Sequence, residues 1–73
     1  MELIITRNGY SYWNAANRCW TVARDAATVY TEDDLPEQVD GLDRDSFASD
    51  SDVPDIRYYD GNAFEATAWV ERA

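Results

Sequence analysis

The residues best able to do chemistry in this sequence are aspartates that recur at alternate positions. Asp43 and Asp45 form one such pair, and Asp50 and Asp52 form another. In a locally extended chain two residues span ~6.6 Å, a separation found between the paired carboxylates of glycoside hydrolases. Catalysis would also need a substrate cleft in which burial raises the pKa of one carboxyl group, and a solvated stretch provides neither. We therefore expect no catalytic residues and no enzyme activity.

The same aspartates lack the spacing of a calcium-binding loop. That loop places a glycine directly after its third alternate acidic position. In a loop that begins at Asp43, the third acidic position is occupied by Phe47 and the glycine position by Ala48. In a loop that begins at Asp50, the third acidic position is occupied by Pro54. The sequence contains no histidine, the commonest metal ligand and the usual general base. We expect no metal and no cofactor.

Cys19 is the only cysteine, so an internal disulfide is excluded. A nucleophilic thiol would need an activating base or an electropositive site. Arg18 adjoins Cys19, but successive residues of a strand point to opposite faces. We expect Cys19 to be a small buried core residue.

The strongest signal in the sequence is a segregation of charge. Between Glu32 and Asp60 lie eleven acidic residues and two arginines, and this difference equals the net charge of −9 of the whole chain. We expect the acidic residues of this stretch to form a partner-binding surface. Its predicted members are Glu32, Asp33, Asp34, Glu37, Asp40, Asp43, Asp45, Asp50, Asp52 and Asp55.

An anionic surface selects its partners by charge. It repels nucleic-acid phosphates and anionic lipid, so neither direct nucleic-acid binding nor membrane binding is expected. Carboxylates can instead occupy a groove whose lysines and arginines normally hold phosphates. A basic DNA-binding protein is therefore the expected partner. In the alternative interpretation the acid serves only solubility or adaptation to high salt, and exposed sheet aromatics contact the partner.

The first third of the chain has the pattern of an antiparallel meander. Asn8-Gly9 is a strong hairpin signal, because both residues tolerate positive φ. It separates the apolar run that begins at Leu3 from Tyr10–Trp13, in which Tyr12 and Trp13 alternate in direction. A further reversal at 14–17 leads to a third strand at 18–22, and the β-favouring residues 28–31 follow.

The acidic stretch predicts a helix followed by a loop. Leu35, Val39 and Leu42 have helical spacing, Thr31 is a credible N-cap, and Gly41 is a plausible stop. We expect a short helix near 33–39 and an acidic loop over 40–55, which Phe47 anchors to the core. A terminal hairpin follows, with Phe64, Ala68 and Val70 among the residues on its buried side.

These elements predict an α+β fold in a single domain covering residues 1–73. About four to six short strands in hairpins would form a small antiparallel sheet beside the helix. The 45% content of hydrophobic residues favours a folded core. Dimerisation would be one way to bury more surface. The single cysteine and the lack of an apolar leader or span predict a cytoplasmic protein.

A small acidic chain of this kind resembles the phage and prophage inhibitors of host defence, of which anti-CRISPR proteins are the best-known group. The resemblance rests on size, on the one-sided charge and on the residues at 12–14, 19–21 and 27–32. These inhibitors share no common motif, so no residue role is transferred. The resemblance implies a protein that binds a Cas protein or an RNA-guided surveillance complex in the host cytoplasm and prevents target DNA from docking.

Overall fold

A computed structural model describes residues 1–47 and 51–73 of the protein, without the side chains of residues 46 and 47. Within these ranges the chain forms seven strands in one antiparallel sheet of order β3-β2-β1-β7-β6-β5-β4. The strands are β1 (Leu3–Arg7), β2 (Ser11–Asn14), β3 (Cys19–Thr21), β4 (Gln38–Val39), β5 (Leu42–Phe47), β6 (Asp55–Tyr59) and β7 (Ala68–Arg72). Two single 3₁₀ turns, Arg24–Ala26 and Glu32–Asp34, lie between β3 and β4.

The sheet curls so that its two edges approach each other. Trp20 lies on edge strand β3, and Asp40 lies in the turn next to the opposite edge strand, β4. The Trp20 indole Nε1–H donates a hydrogen bond of 2.9 Å to Asp40 Oδ2. This contact requires the sheet to fold over its own inner face, which gives the shape of a half-barrel.

The hydrophobic core fills the inner face of the half-barrel. Each strand that crosses it contributes alternate residues, because side chains along a strand point in turn to the two faces. The buried members of the core are Leu3, Ile5, Trp13, Leu35, Val39, Leu42, Ile56, Tyr58, Ala68 and Val70. At ~25 cal/mol per Å² of buried apolar area, these side chains are the main source of stability.

The predicted hairpin at Asn8-Gly9 is confirmed. Asn8 and Gly9 have φ values of 57° and 81°, and β2 returns antiparallel to β1. Trp13 is buried in the inner core and packs against Trp20, with ring centroids 5.3 Å apart. The segment predicted as β-favouring at 28–31 contributes one bridge, in which Tyr30 exchanges backbone hydrogen bonds of 2.7 and 2.8 Å with Leu3.

The predicted α+β class is wrong, because the described residues contain no α-helix. The expected helix near 33–39 is a 3₁₀ turn followed by extended chain and β4. Pro36 explains the difference, because proline disfavours helical geometry in the preceding residue, and Leu35 has φ −59° and ψ 130°. Asp40 and Gly41 then have φ values of 50° and 79°, so they form a hairpin turn rather than a helix stop.

The predicted acidic loop over 40–55 is also wrong at residues 42–47 and 55, which belong to strands. Residues Leu42–Phe47 form β5, which pairs with β6 from Asp43↔Tyr59 to Phe47↔Asp55. Strand formation is compatible with the acid because Leu42 faces the core, whereas Asp43 and Asp45 are exposed. The predicted anchoring role of Phe47 and the predicted site residue Asp50 lie outside the described side chains.

Two further predictions fail at the surface. Cys19, expected in the core, is exposed on edge strand β3. Phe64, expected on the buried side of a terminal strand, lies in the loop before β7 and is 101% exposed. The strand begins at Ala68, where the chain pairs with both Arg7 and Tyr58. No helix among the described residues is long and apolar enough to cross a membrane.

Candidate partner-binding surface

The acidic residues predicted to bind a partner fall into groups that differ in their counterions. Four of them form ion pairs with arginine, which partly neutralises them. The pairs are Glu37–Arg44 (3.6 Å), Asp40–Arg7 (4.0 Å), Asp52–Arg72 (3.4 Å) and Asp55–Arg57 (2.9 Å). Two of these arginines lie far from the acidic stretch in sequence, so the segregation of charge is smaller in space than along the chain.

Asp40 has a structural role in addition to its charge. Its carboxylate accepts the Trp20 hydrogen bond and lies near Arg7, whose guanidinium carbon stands 5.7 Å from the centroid of the Trp20 ring. The positive φ of Asp40 also suits the turn between β4 and β5, because aspartate tolerates this conformation better than most residues. Asp40 therefore joins the two edges of the sheet.

The residues Glu32, Asp33 and Asp34 are exposed on a single 3₁₀ turn. The sequence predicts that a helix carries these residues, and that prediction is wrong. The Thr31 hydroxyl donates a hydrogen bond of 2.8 Å to Asp34 Oδ2 and makes no cap hydrogen bond to the backbone. This turn presents three adjacent carboxylates to solvent.

Asp43 and Asp45 occupy the outer face of β5, opposite the core. They lie one pleat apart, ~6.8 Å along an antiparallel strand. Asp43 Oδ1 accepts a hydrogen bond of 2.7 Å from Gln38 Nε2. Neither carboxylate forms an ion pair within the described part of the chain. Strand β6 pairs with β5 at both positions and β4 pairs with it at Asp43, so the backbone that carries the two charges is held in place.

The contacts on the inner side of β5 add to this rigidity. Arg44 Nη1 donates a hydrogen bond of 3.1 Å to the Leu35 carbonyl, and the Tyr58 hydroxyl donates one of 2.7 Å to the Pro36 carbonyl. Both bonds attach the 35–37 segment to the inner face of the sheet. Burial raises the pKa of Tyr58 to about 12, so its phenol stays protonated and remains a donor at neutral pH.

A shallow depression of about 470 Å³ opens beside the two aspartates, and we call it the β5–β6 depression. Its strand side is formed by Asp43, Asp45 and Tyr59, and its loop side by Gly61, Ala63 and Phe64. Arg44 also lines it, and the Arg44 guanidinium bonds to the Leu35 carbonyl and to Glu37. The depression therefore combines carboxylates with aromatic rings.

Phe64 is the member of this surface that the sequence did not predict. Alternation between 63 and 70 assigned it to a buried face. The signal against that assignment is composition, because Ala63 to Thr67 contains few of the branched and aromatic residues that favour strands. The turn signal at Asp60-Gly61 is followed by a longer loop than the pattern indicated.

The remaining outer face is largely covered. The segment at 22–29 lies across β1 and β2, where Arg24 stands 5.5 Å from the Tyr12 ring centroid and pairs with Glu71 at 3.2 Å. Ile4 beneath it is 2% exposed. The open part of the outer face thus lies over β5 and β6. Among the described residues, no cluster of three or more acidic or cysteine side chains has the geometry of a metal site.

No known protein family, curated protein or solved structure matches this chain.

Proposed function

We propose that this protein is a non-enzymatic inhibitor that binds a nucleic-acid-binding protein through its acidic surface and thereby blocks the binding of nucleic acid. The observation that carries the proposal is the position of Asp43 and Asp45. Both project from the outer face of β5, which pairs with β6 at both positions and with β4 at Asp43, and neither forms an ion pair with arginine among the described residues. The exposed carboxylates of Glu32 and Asp33, on a separate turn, add further charge without an ion pair among the described residues.

A basic protein is the partner that this charge favours. A protein that binds nucleic acid presents lysines and arginines to phosphates, and carboxylates accept the same charge-assisted hydrogen bonds. The net charge of −9 would also speed the encounter with a basic groove at low ionic strength. Direct contact with nucleic acid is disfavoured for the same electrostatic reason.

Rigid presentation supports inhibition rather than loose electrostatic attraction. A flexible acidic segment loses conformational entropy when it binds, whereas carboxylates on a paired strand are already ordered. The resemblance of this small acidic chain to anti-CRISPR proteins makes the DNA-binding channel of a Cas protein or surveillance complex the first partner to test.

The test is capture from a nuclease-treated bacterial lysate, followed by elution with duplex DNA. Nucleic-acid-binding proteins should bind the immobilised wild type and be released by DNA, because the two compete for one groove. The double variant D43N/D45N should capture several-fold less of the same proteins. Equal capture by the variant, or capture that DNA does not reverse, would contradict the proposal. A reconstituted Cas complex then provides a direct measurement of blocked target binding.

A second candidate function rests on exposed apolar side chains rather than on charge. Phe64 is 101% exposed, Val22 82% and Tyr10 70%, and exposed aromatic rings are typical of contact surfaces. In this alternative the acid serves solubility alone. The two functions differ in salt dependence, because binding by charge weakens steeply as ionic strength rises, whereas binding by apolar contact does not.

A further inference from the structure

The open outer face over β5 and β6 holds an aromatic ring with no intramolecular contact surface. Phe64 is 101% exposed at the border of the β5–β6 depression, and Tyr59 on β6 lines the same depression while half-buried. An exposed phenylalanine is costly in water, since a ring of this kind can bury on the order of 150–250 Å² when covered. The depression is thus a docking surface of aromatic character.

The charge around the depression defines what can cover it. Asp43 and Asp45 stand on its strand side, and the nearby arginines are engaged elsewhere. Arg44 bonds to the Leu35 carbonyl and to Glu37. Arg57 bonds to Asp55 at 2.9 Å, and the Asp55 charge, followed by the Tyr59 hydroxyl, raises the pKa of Arg57. Arg44 lines the depression and Arg57 lies across from Asp45 on β6, but within the described part of the chain neither forms an ion pair with Asp43 or Asp45.

We infer that the β5–β6 depression receives an arginine side chain from the partner protein, and this inference rests on the function proposed above. The guanidinium would donate hydrogen bonds to Asp43 or Asp45 while its plane lies against the exposed ring of Phe64. Carboxylates satisfy its N–H groups, and the rings attract its positive charge. Insertion would also remove part of Phe64 from water.

The chemistry of the depression selects arginine over lysine. A guanidinium is planar and weakly hydrated, so it can stack on a ring and donate to two acceptors at once. A lysine ammonium is compact and strongly hydrated, and it would lose more hydration for fewer directed bonds. Carboxylates alone would attract either cation without such a preference.

The test is a titration of isotope-labelled protein with an oligo-arginine peptide and with an oligo-lysine peptide of the same length, followed by NMR. The arginine peptide should bind roughly 2- to 5-fold more tightly, which is the effect of an exposed cation–π contact. The largest shifts should occur at Asp43, Asp45, Tyr59 and Phe64. F64A should remove most of the preference, and it should fold normally because Phe64 is exposed.

A matched pair of variants separates this site from general charge. D43N/D45N and D33N/D34N remove the same number of charges, and only the first should abolish the preference for arginine. Equal affinities of the wild type for the two peptides, or equal effects of the two variants, would overturn the arginine site. That result would not contradict the proposed function, provided that duplex DNA still releases the proteins captured from the lysate. Loss of DNA-reversible capture would contradict the proposed function itself.

Discussion

The two faces of β5 show how one strand contributes both to the core and to the candidate partner-binding surface of this protein. On the inner face, Leu42 is 6% exposed, and Arg44 bonds to the 35–37 segment. On the outer face, Asp43 and Asp45 are exposed and without ion pairs among the described residues. Alternation along the strand therefore separates the groups that hold the fold from those available to a partner.

The aspartates of one hairpin show the same division. Asp40, in the turn, bonds to Trp20 and joins the sheet edges, whereas Asp43, three positions later, accepts a hydrogen bond from the exposed side chain of Gln38. Residue type and local charge are identical for the two. The two carboxylates differ in what lies opposite them, because only Asp40 faces another edge of the sheet. A count of acidic residues therefore overstates the size of the candidate surface.

The largest contrast should appear when one aromatic side chain is removed from each face. Tyr58 is fully buried, so Y58A should lower the free energy of unfolding by about 3–5 kcal/mol. F64A should change it by no more than about 0.5 kcal/mol, because Phe64 has no packing to lose. Urea denaturation followed by circular dichroism measures both. Surface substitutions usually change the free energy of unfolding by no more than ~0.5 kcal/mol. A loss of twice that size or more for F64A would show that Phe64 packs against the fold.

High pH should weaken the inner face selectively. The pKa of Tyr58 is raised to about 12 in the folded protein, against an unfolded value near 10. The contribution of the protonated Tyr58 phenol to the free energy of unfolding is complete below about pH 10. It is lost as the pH rises towards about 12, because in that window Tyr58 ionises only in the unfolded chain. The loss should reach about 2–3 kcal/mol in denaturation curves measured across this range.

The control for this pH effect is Y58F. It should begin about 1–2 kcal/mol less stable, since the Pro36 carbonyl loses its hydrogen bond. Its stability should then fall less between pH 10 and 12, with a remainder from Tyr30, whose pKa burial also raises. Parallel pH profiles for wild type and Y58F would show that Tyr58 is not the group responsible.

The two aspartates of the β4–β5 hairpin provide a smaller contrast. D40A should cost about 1–3 kcal/mol, because it leaves Trp20 without its acceptor and places alanine at positive φ. D40N should cost less, since asparagine tolerates that φ and keeps an acceptor oxygen. D43A should stay within about 0.5 kcal/mol of wild type. Thermal unfolding would rank the three, and an equal cost for D40A and D43A would contradict the division.

The smallest effect on stability should come from neutralising the outer carboxylates. D43N/D45N should leave the free energy of unfolding within about 0.5 kcal/mol of wild type, because both groups are exposed. The same variant should lose several-fold in affinity for an oligo-arginine peptide at low salt. Calorimetric unfolding and peptide titration on one sample separate the two outcomes. A destabilised variant with unchanged affinity would assign these residues to the fold instead.

The two hairpin turns show which features of the fold could be predicted from the sequence. Asn8-Gly9 stands between clearly apolar runs, and its reversal was predicted correctly. Asp40-Gly41 has the same chemistry and the same positive φ values, yet the helical spacing of Leu35, Val39 and Leu42 suggested a helix there. Pro36 carried the opposing signal, because it favours extended geometry at Leu35.

The candidate surface was predictable only in part, for a related reason. Alternation along Leu42–Asp45 was present in the sequence, but the density of acid suggested a loop. Strand formation there depends on pairing with Asp55–Tyr59, which a local pattern cannot show. The exposure of Phe64 likewise depends on where β7 begins to pair with β1 and β6.

By itself, the sequence determined the excess of acidic residues, the turn at Asn8-Gly9 and the alternation that separates apolar from polar side chains. These properties are local, because they depend on residue type and on neighbours in the chain. Tertiary structure alone decided which carboxylates keep their charge exposed. Arg7 reaches Asp40 only after the sheet has curled, and Arg72 reaches Asp52 only after β7 has paired with β6, and ion pairs between residues so distant in sequence cannot be inferred from spacing. Within the described part of the chain, that folding leaves Asp43 and Asp45 on β5 exposed and without an ion pair.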